Sequence, residues 1–483
     1  MPDLCDLGAV ELRRLVGTKR VSPVEILESC IARIEAVNPA LNAVVATDFP
    51  RARAEAEAAE AAVGAGDDLG PLHGLPVGIK DLESTAGLRT TFGSLLYKDH
   101  VPAKDDRLVA AVRAAGGIVI GKTNTPEFGA GANTRNKVYG ATGNPFDPAL
   151  TCGGSSGGSA VALATGMAPL ATGSDFGGSL RTPAGFCGVV GFRPTPGTVP
   201  DETRVVGLSP FAVLGPMGRD VADAALLLSA LIDDDARDPY THALDPALEE
   251  APGPCDLSAL RIAFSEDLGC APVAEEIRAV FRARTARLMP LFARAEHRDP
   301  ALGPVHEVFE ILRGVNFLAA HKERVEKHRD LLGPNVIDNT MRALAHSAAD
   351  VAWAHAEQTK LYRRFLRLFE EVDVLVCPAC AVSPFPHEEL AVREIDGQAM
   401  ETYMRWLAIT YGITMTTHPV AVIPCGVDGR GLPFGLQIVG PHGGDAYVLR
   451  VAHALEQAMA GEPELARPLP DLARLAKTEG PPT

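Results

Sequence analysis

The sequence predicts an α/β protein in which a sheet packs between helices, and three observations lead there. Short apolar runs rich in β-branched residues alternate with helix-like stretches along much of the chain. The strand pattern returns near the end, at 420–424 and 432–439, after a long helical stretch. The composition, 46% hydrophobic and 22% charged over 483 residues, leaves ample apolar side chains for a large core.

Ser22-Pro23-Val24-Glu25 forms a capping box with proline at the first helical position, which starts a helix running to about Val37. The alanine- and glutamate-rich stretch 51–62 reads as a second helix and 64–70 as a loop. Residues 75–79 form a short apolar run with a β-branched bias, 106–115 are helix-like and 118–120 strand-like. The rhythm continues through 160–163, 189–192, 222–231 and 260–264. The stretch 233–254 turns to Asp, Glu, Pro and Ala and reads as a surface connection. Helical patterns dominate 275–371, and the proline-rich tail from Gly461 is expected to wrap loosely over the surface.

Charge and composition narrow the function. Acidic residues outnumber basic ones by 61 to 45, a formal net charge of -16, so the surface as a whole repels phosphate backbones and nucleic-acid binding is not expected. The first residues lack a basic start followed by an apolar stretch, and no run of 18 or more apolar residues occurs. A cytoplasmic protein without a membrane span is the expectation. Nine cysteines in so long a chain are too sparse for a disulfide scaffold, and a reducing compartment suits them. Cys377-Pro378-Ala379-Cys380 is a lone C-x-x-C after the apolar run 372–376 and reads as the end of a buried strand; none of the 13 histidines falls in an H-E-x-x-H pattern. No metal and no cofactor are expected.

Three glycine-rich motifs compete for the chemistry. Gly116-Gly117-Ile118-Val119-Ile120-Gly121-Lys122-Thr123 fits the P-loop pattern, but a helix precedes it, Ile-Val-Ile fills the variable positions and Pro126 follows, so a buried strand and turn are expected. Gly153-Gly154-Ser155-Ser156-Gly157 fits the G-x-S-x-G elbow of α/β-hydrolase esterases. The strand that should feed such an elbow is replaced by the loop-like 145–152. The third motif is longer: Gly153-Gly154-Ser155-Ser156-Gly157-Gly158-Ser159, then Gly173-Ser174-Asp175-Phe176-Gly177-Gly178-Ser179-Leu180-Arg181. Such glycine density suggests backbone amides brought close to a reacting atom.

This third run, with Lys80 in Leu75-Pro76-Val77-Gly78-Ile79-Lys80-Asp81, resembles the amidase signature family. The segments beginning Gly121-Lys122-Thr123-Asn124, Gly188-Val189-Val190-Gly191 and Gly431-Leu432-Pro433-Phe434 are similar to family segments too, so the likeness covers about residues 8–460. It implies a mixed central sheet surrounded by helices and a single domain over 1–483. The amidase core would lie at about 60–232, and a more variable helical region that shapes the substrate pocket at about 275–420. It also implies a catalytic triad: Ser179 as nucleophile, Ser155 as bridging serine and Lys80 as base. Backbone amides of Phe176, Gly177 and Gly178 would form the oxyanion hole, and Gly129, Ala130 and Gly131 would contact substrate.

The chemistry suits those residue types. A serine hydroxyl needs a base to take its proton during attack, and lysine, with a usual pKa of about 10.4, serves only when neutral, so the site must desolvate Lys80 or surround it with hydrogen-bond donors and no paired carboxylate. A hydroxyl both donates and accepts, so a second serine relays a proton without becoming charged. Ser156 and Ser159 compete for that role on chemistry alone, and only the family register selects Ser155. Asp175 and Arg181 read as braces of the loop. Phe176 stands where many relatives have threonine and Cys152 where proline is common; both are given structural roles, with Phe176 also able to line the pocket.

The resemblance implies hydrolysis of amide-type carbon–nitrogen bonds through an acyl-enzyme. Small aryl or alkyl amides or carbamates (urethanes) would be the substrates, and the protein a monomer or homodimer. One alternative is the glutaminase subunit of a tRNA-dependent amidotransferase, disfavoured by the unlike segment 408–420. The other is the α/β-hydrolase-like esterase.

Overall fold

A computed structural model describes residues 3–478. Fifteen strands occur in chain order: β1 (Val44–Ala46), β2 (Pro76–Lys80), β3 (Ile118–Thr123), β4 (Arg135–Asn136), β5 (Gly140–Ala141), β6 (Leu170–Asp175), β7 (Val190–Arg193), β8 (Val213–Gly218), β9 (Arg261–Phe264), β10 (Arg294–His297), β11 (Val374–Pro378), β12 (Glu394–Ile395), β13 (Gln398–Ala399), β14 (Val420–Val427) and β15 (Pro433–Val439). Eleven of them build one sheet in the order β1-β3-β2-β6-β8-β7-β14-β15-β11-β9-β10, and the other four form two short hairpins. Parallel pairs (β2 with β3, β2 with β6, β9 with β10 and β11) sit beside antiparallel ones, so the sheet is mixed, with helices around it.

The expected elements appear with small boundary shifts. The capping box at Ser22 opens a helix over Pro23–Leu41, ended by Asn42 in a left-handed conformation. The alanine-rich segment is the helix Phe49–Ala65, and the helix Arg107–Ala114 leads into β3. Every residue of β2, β3 and β7 is buried, as continuous apolar runs require of strands covered on both faces. No described helix is long and apolar enough to cross a membrane.

Four sheet strands escape the sequence reading, each for a physical reason. Residues Leu170–Asp175 carry mostly small and polar side chains, and Pro216 sits within Val213–Gly218; neither looks like a central strand, yet the two pair over six positions. Arg294–His297 is a polar edge strand inside what reads as helical sequence, and Val44–Ala46 has only three residues at the opposite edge. The tail is also less loose than expected. Leu465 and Leu475 are buried, Arg467 Nε donates to the Gly188 carbonyl 2.9 Å away, and the short helix Leu472–Leu475 packs on Pro23–Leu41.

The P-loop pattern is a strand and turn. Lys122 is fully buried at the end of β3, donating to the carbonyl of Glu83 and to Thr85 Oγ1, so it is unavailable to a phosphate.

Candidate active site

The parallel pairing of β2 with β6 sets Val77 opposite Leu170 and Gly78 opposite Ala171. Both strands therefore deliver their carboxyl ends to one edge of the sheet, where open α/β sheets place ligand sites. Lys80 closes β2, and Ser174 and Asp175 close β6. Strand β6 leads through Phe176-Gly177-Gly178 to Ser179, while the loop 152–156 brings Ser155 in before the helix Gly157–Ala164.

Lys80 is fully buried, and its Nζ lies 2.7 Å from Ser155 Oγ, 2.9 Å from Ser156 Oγ and 2.9 Å from Ser174 Oγ. Burial brings its pKa down to about 7, against the opposing pull of Glu83 and Asp175. A neutral amine has two N–H groups and one lone pair, so three hydroxyls satisfy it without a counter-ion. Ser156 Oγ itself donates to the Ser174 carbonyl, 3.4 Å away, which leaves Ser155 or Ser174 to donate to the lone pair.

The sequence left Ser155, Ser156 and Ser159 open on chemistry alone, and the structure separates them. Ser159 Oγ bonds Thr123 Oγ1 at 2.7 Å and the Thr172 carbonyl at 2.8 Å, a contact between strand ends and helix with no reach to Lys80. Ser155 lines a cavity of about 230 Å³, and Ser156 does not. Ser179 lines the same cavity, half-buried, and its Oγ makes no hydrogen bond among the described residues. The two serine segments are tied through the main chain, the Ser156 amide donating to the Ser179 carbonyl at 3.2 Å.

The Ser179 loop is braced from inside. Asp175 accepts from Arg181 Nε and Nη2, both at 3.0 Å, and from the amides of Gly178 at 3.0 Å and Leu180 at 3.1 Å. Burial alone would raise the pKa of Asp175, but Arg181 and Arg193 hold it well below the usual carboxylate range. Arg181 also donates to the Thr410 carbonyl, Thr414 Oγ1 and Gln437 Oε1, pinning the loop to the helix Ala408–Thr414 and to β15. Both side chains of the pair are shut off from solvent. Arg181→Leu is therefore expected to destabilise the fold by about 3–5 kcal/mol, the usual result of stranding a buried charge; urea unfolding that stays within 1 kcal/mol of the parent, roughly, would contradict this.

The Gly178 amide donates to Asp175, whereas the amides of Phe176, Gly177 and Ser179 have no protein acceptor among the described residues. Gly178 has φ +127° and a Cβ there would lie 2.4 Å from Thr410 Oγ1, so its glycine serves the turn. Of Gly129, Ala130 and Gly131, only Gly129 reaches the cavity, where a Cβ would stand 3.3 Å from Ser155 Oγ. Ala130 instead packs with Phe317, Val325 and Val336, and a side chain on Gly131 would meet Asn335.

The wall of the cavity includes Leu82, Phe128, Phe176, Leu214 and Phe317, with Glu83, Asp175, Asp201 and Arg313 as its ionisable members. Phe176 faces the cavity and also packs on Phe211 and Phe309 at centroid distances of 5.7 and 6.2 Å. Burial, then Asp201, lifts Glu83 to about 8. No histidine lines the space, and Ser155 follows a loop rather than a strand, which removes the esterase elbow. Cys152 and Cys377 are buried with thiols pushed up to about 12, so neither is a nucleophile. Among the described residues no group of three or more His, Cys, Asp or Glu is placed to hold a metal ion.

A family model described as Amidase matches residues 25–449. The chain belongs to the amidase signature family. An acylamidase of Rhodococcus erythropolis is 36% identical over 455 residues, covering 93% of this chain and 95% of that protein. A glutamyl-tRNA(Gln) amidotransferase subunit of Thermus thermophilus is 35% identical over 473 residues, covering 94% and 97%. Among solved structures, a bacterial aryl acylamidase superposes with a TM-score of 0.86 at 28% identity over 95% of this chain and 96% of its own. The 6-aminohexanoate cyclic dimer hydrolase gives 0.84 at 27% over 98% and 100%. The enzyme is an amidase with the mixed sheet and surrounding helices of that family.

Glu83, Ser174, Asp201, Arg313 and Phe317 were missed by the sequence reading as site residues. Ser174 stood inside the quoted glycine-serine run, and the helical region expected to shape the pocket supplies Arg313 and Phe317 from the helix Val305–His328.

Proposed function

We propose that this amidase hydrolyses small aryl or alkyl amides and related carbamates as a stand-alone enzyme, through an acyl-enzyme on Ser179. The observation that carries this reading is the buried Lys80, its pKa brought down to about 7, in contact with Ser155, in a cavity that Ser155 shares with Ser179. Ser179 Oγ attacks the carbonyl carbon; its proton passes to Ser155 Oγ, whose own proton moves to Lys80 Nζ. The oxygen, now negative, is held by the free amides of the 176–179 turn. Collapse breaks the carbon–nitrogen bond, and the proton on Lys80 returns through Ser155 to the leaving nitrogen. Water then repeats the sequence on the acyl-enzyme and releases acid. A rotation of Ser179 about χ1 into contact with Ser155 is required, a change between staggered wells for a hydroxyl with no bond to break.

Phenylalanine and leucine on the cavity wall suit an apolar aryl or alkyl portion of the substrate. The space, about 230 Å³, is below the roughly 300–1,000 Å³ of sites for drug-sized ligands, so a small group suits it. A panel of purified-enzyme assays should show kcat/KM for short-chain anilides at least about tenfold above that for glutamine, a difference of 1.4 kcal/mol. Glutamine turnover that exceeds anilide turnover, or that appears only with added partner subunits and ATP, would transfer the protein to the amidotransferase reading.

A further inference from the structure

Arg313 lies on the helix Val305–His328 and is 6% exposed. A guanidinium keeps its charge at any ordinary pH, so one this buried needs an anion, a polar cage or both. Its protein partners are neutral: Nε donates to Asn339 Oδ1 at 3.1 Å and Nη2 to Tyr403 Oη at 3.1 Å. The rings of Phe317, Phe176 and Phe309 surround its central carbon at 4.4, 5.4 and 5.9 Å. No carboxylate lies within 4.0 Å among the described residues, and Nη1 donates to nothing. Arg313 nevertheless lines the cavity that holds Ser155 and Ser179.

We propose that Arg313 is a specificity-determining residue that binds a carboxylate carried by the amide substrate. This rests on the reading of the Ser155–Ser179 cavity as the active site and narrows its substrates to amides with an acidic group. Aromatic rings crowd the guanidinium, Asn339 and Tyr403 hold its Nε and Nη2, and Nη1 has no protein acceptor among the described residues, on a side chain that lines the Ser155–Ser179 cavity. A carboxylate there completes a charge-assisted hydrogen bond, about twice as strong as a neutral one, and neutralises a charge the fold leaves uncompensated. Of the acids in the same wall, Asp175 is paired with Arg181 and Arg193, burial and then Asp201 push Glu83 up to about 8, and burial raises Asp201 as well.

The test compares 4-anilino-4-oxobutanoate with butyranilide, which differ chiefly in the carboxylate. The parent enzyme should favour the acid in kcat/KM by roughly ten- to hundredfold, the range expected of a hydrogen bond to a charged group. In Arg313→Met the ratio of the two should fall to about one, and Arg313→Lys should restore part of it. Calorimetric binding to Ser179→Ala gives the same comparison without turnover. A binding ratio near one in that background overturns the role of Arg313. A ratio that favours the acid with no hydrolysis by the parent supports Arg313 and counts against the amidase reading of this cavity. The parent's own ratio decides the matter should Arg313→Met fail to fold.

Discussion

Ser179→Ala is expected to lower kcat for a good anilide substrate by four orders of magnitude or more while the protein stays folded. Loss of the catalytic serine lowers kcat by on the order of 10⁶ in a serine hydrolase, because the acyl-enzyme route closes and only binding and oxyanion contacts remain. The fold should not notice. Ser179 is half-buried, its Oγ bonds no described residue, and the Ser156 amide grips its carbonyl rather than its side chain. Melting temperature should move by less than about 2 °C, as for a substitution within roughly half a kcal/mol. Mass spectrometry adds a direct readout: a slowly deacylating ester or carbamate should label the parent at Ser179 and leave the variant unlabelled. Labelling at another serine, or retained amide hydrolysis, would sink the assignment.

The serines and the lysine were legible in the sequence because the chemistry is local. Glycine pairs around Ser155 and Ser179 stand out within 24 residues, from 155 to 179, and Lys80 ends a run that is apolar enough to bury it. The sequence could not choose among Ser155, Ser156 and Ser159 without a family register, since that choice depends on which hydroxyl faces the cavity and which faces a strand end. Arg313 was invisible for a different reason. It sits in an amphipathic helix 134 residues beyond Ser179 (313 minus 179), where a lone arginine ordinarily marks a solvated face. Gly178 illustrates the limit of glycine as a signal: the residue is required by φ +127° and by Thr410, yet its amide belongs to Asp175. Glycine density marked the place of close approach without saying which N–H was free.

Activity should fall with acid because Lys80 takes up a proton. Burial lowers its pKa from 10.5 to about 7, so above that value the amine is neutral and able to accept. Below it the neutral fraction drops tenfold per pH unit, and kcat/KM should follow with a slope of one. The same shift acts on stability with a definite sign. Between about 7 and 10.5 the unfolded chain holds a proton that the folded chain does not, so this residue makes stability rise with pH across that window. Its unfavourable contribution is complete below about 7 and absent above 10.5. Lys80→Met should lower kcat/KM by on the order of 10³–10⁴, as loss of a general base does. It should also flatten the rise of melting temperature between pH 7 and 10, because a thioether binds no proton in either state. The Ser155, Ser156 and Ser174 hydroxyls that surrounded Nζ lose a common partner, so the variant exchanges one strain for another and the slope, more than the absolute melting temperature, carries the information. A parent profile that stays flat from pH 9 to 5, or a variant that keeps more than about a tenth of the parent rate, would mean that some group other than Lys80 takes the proton.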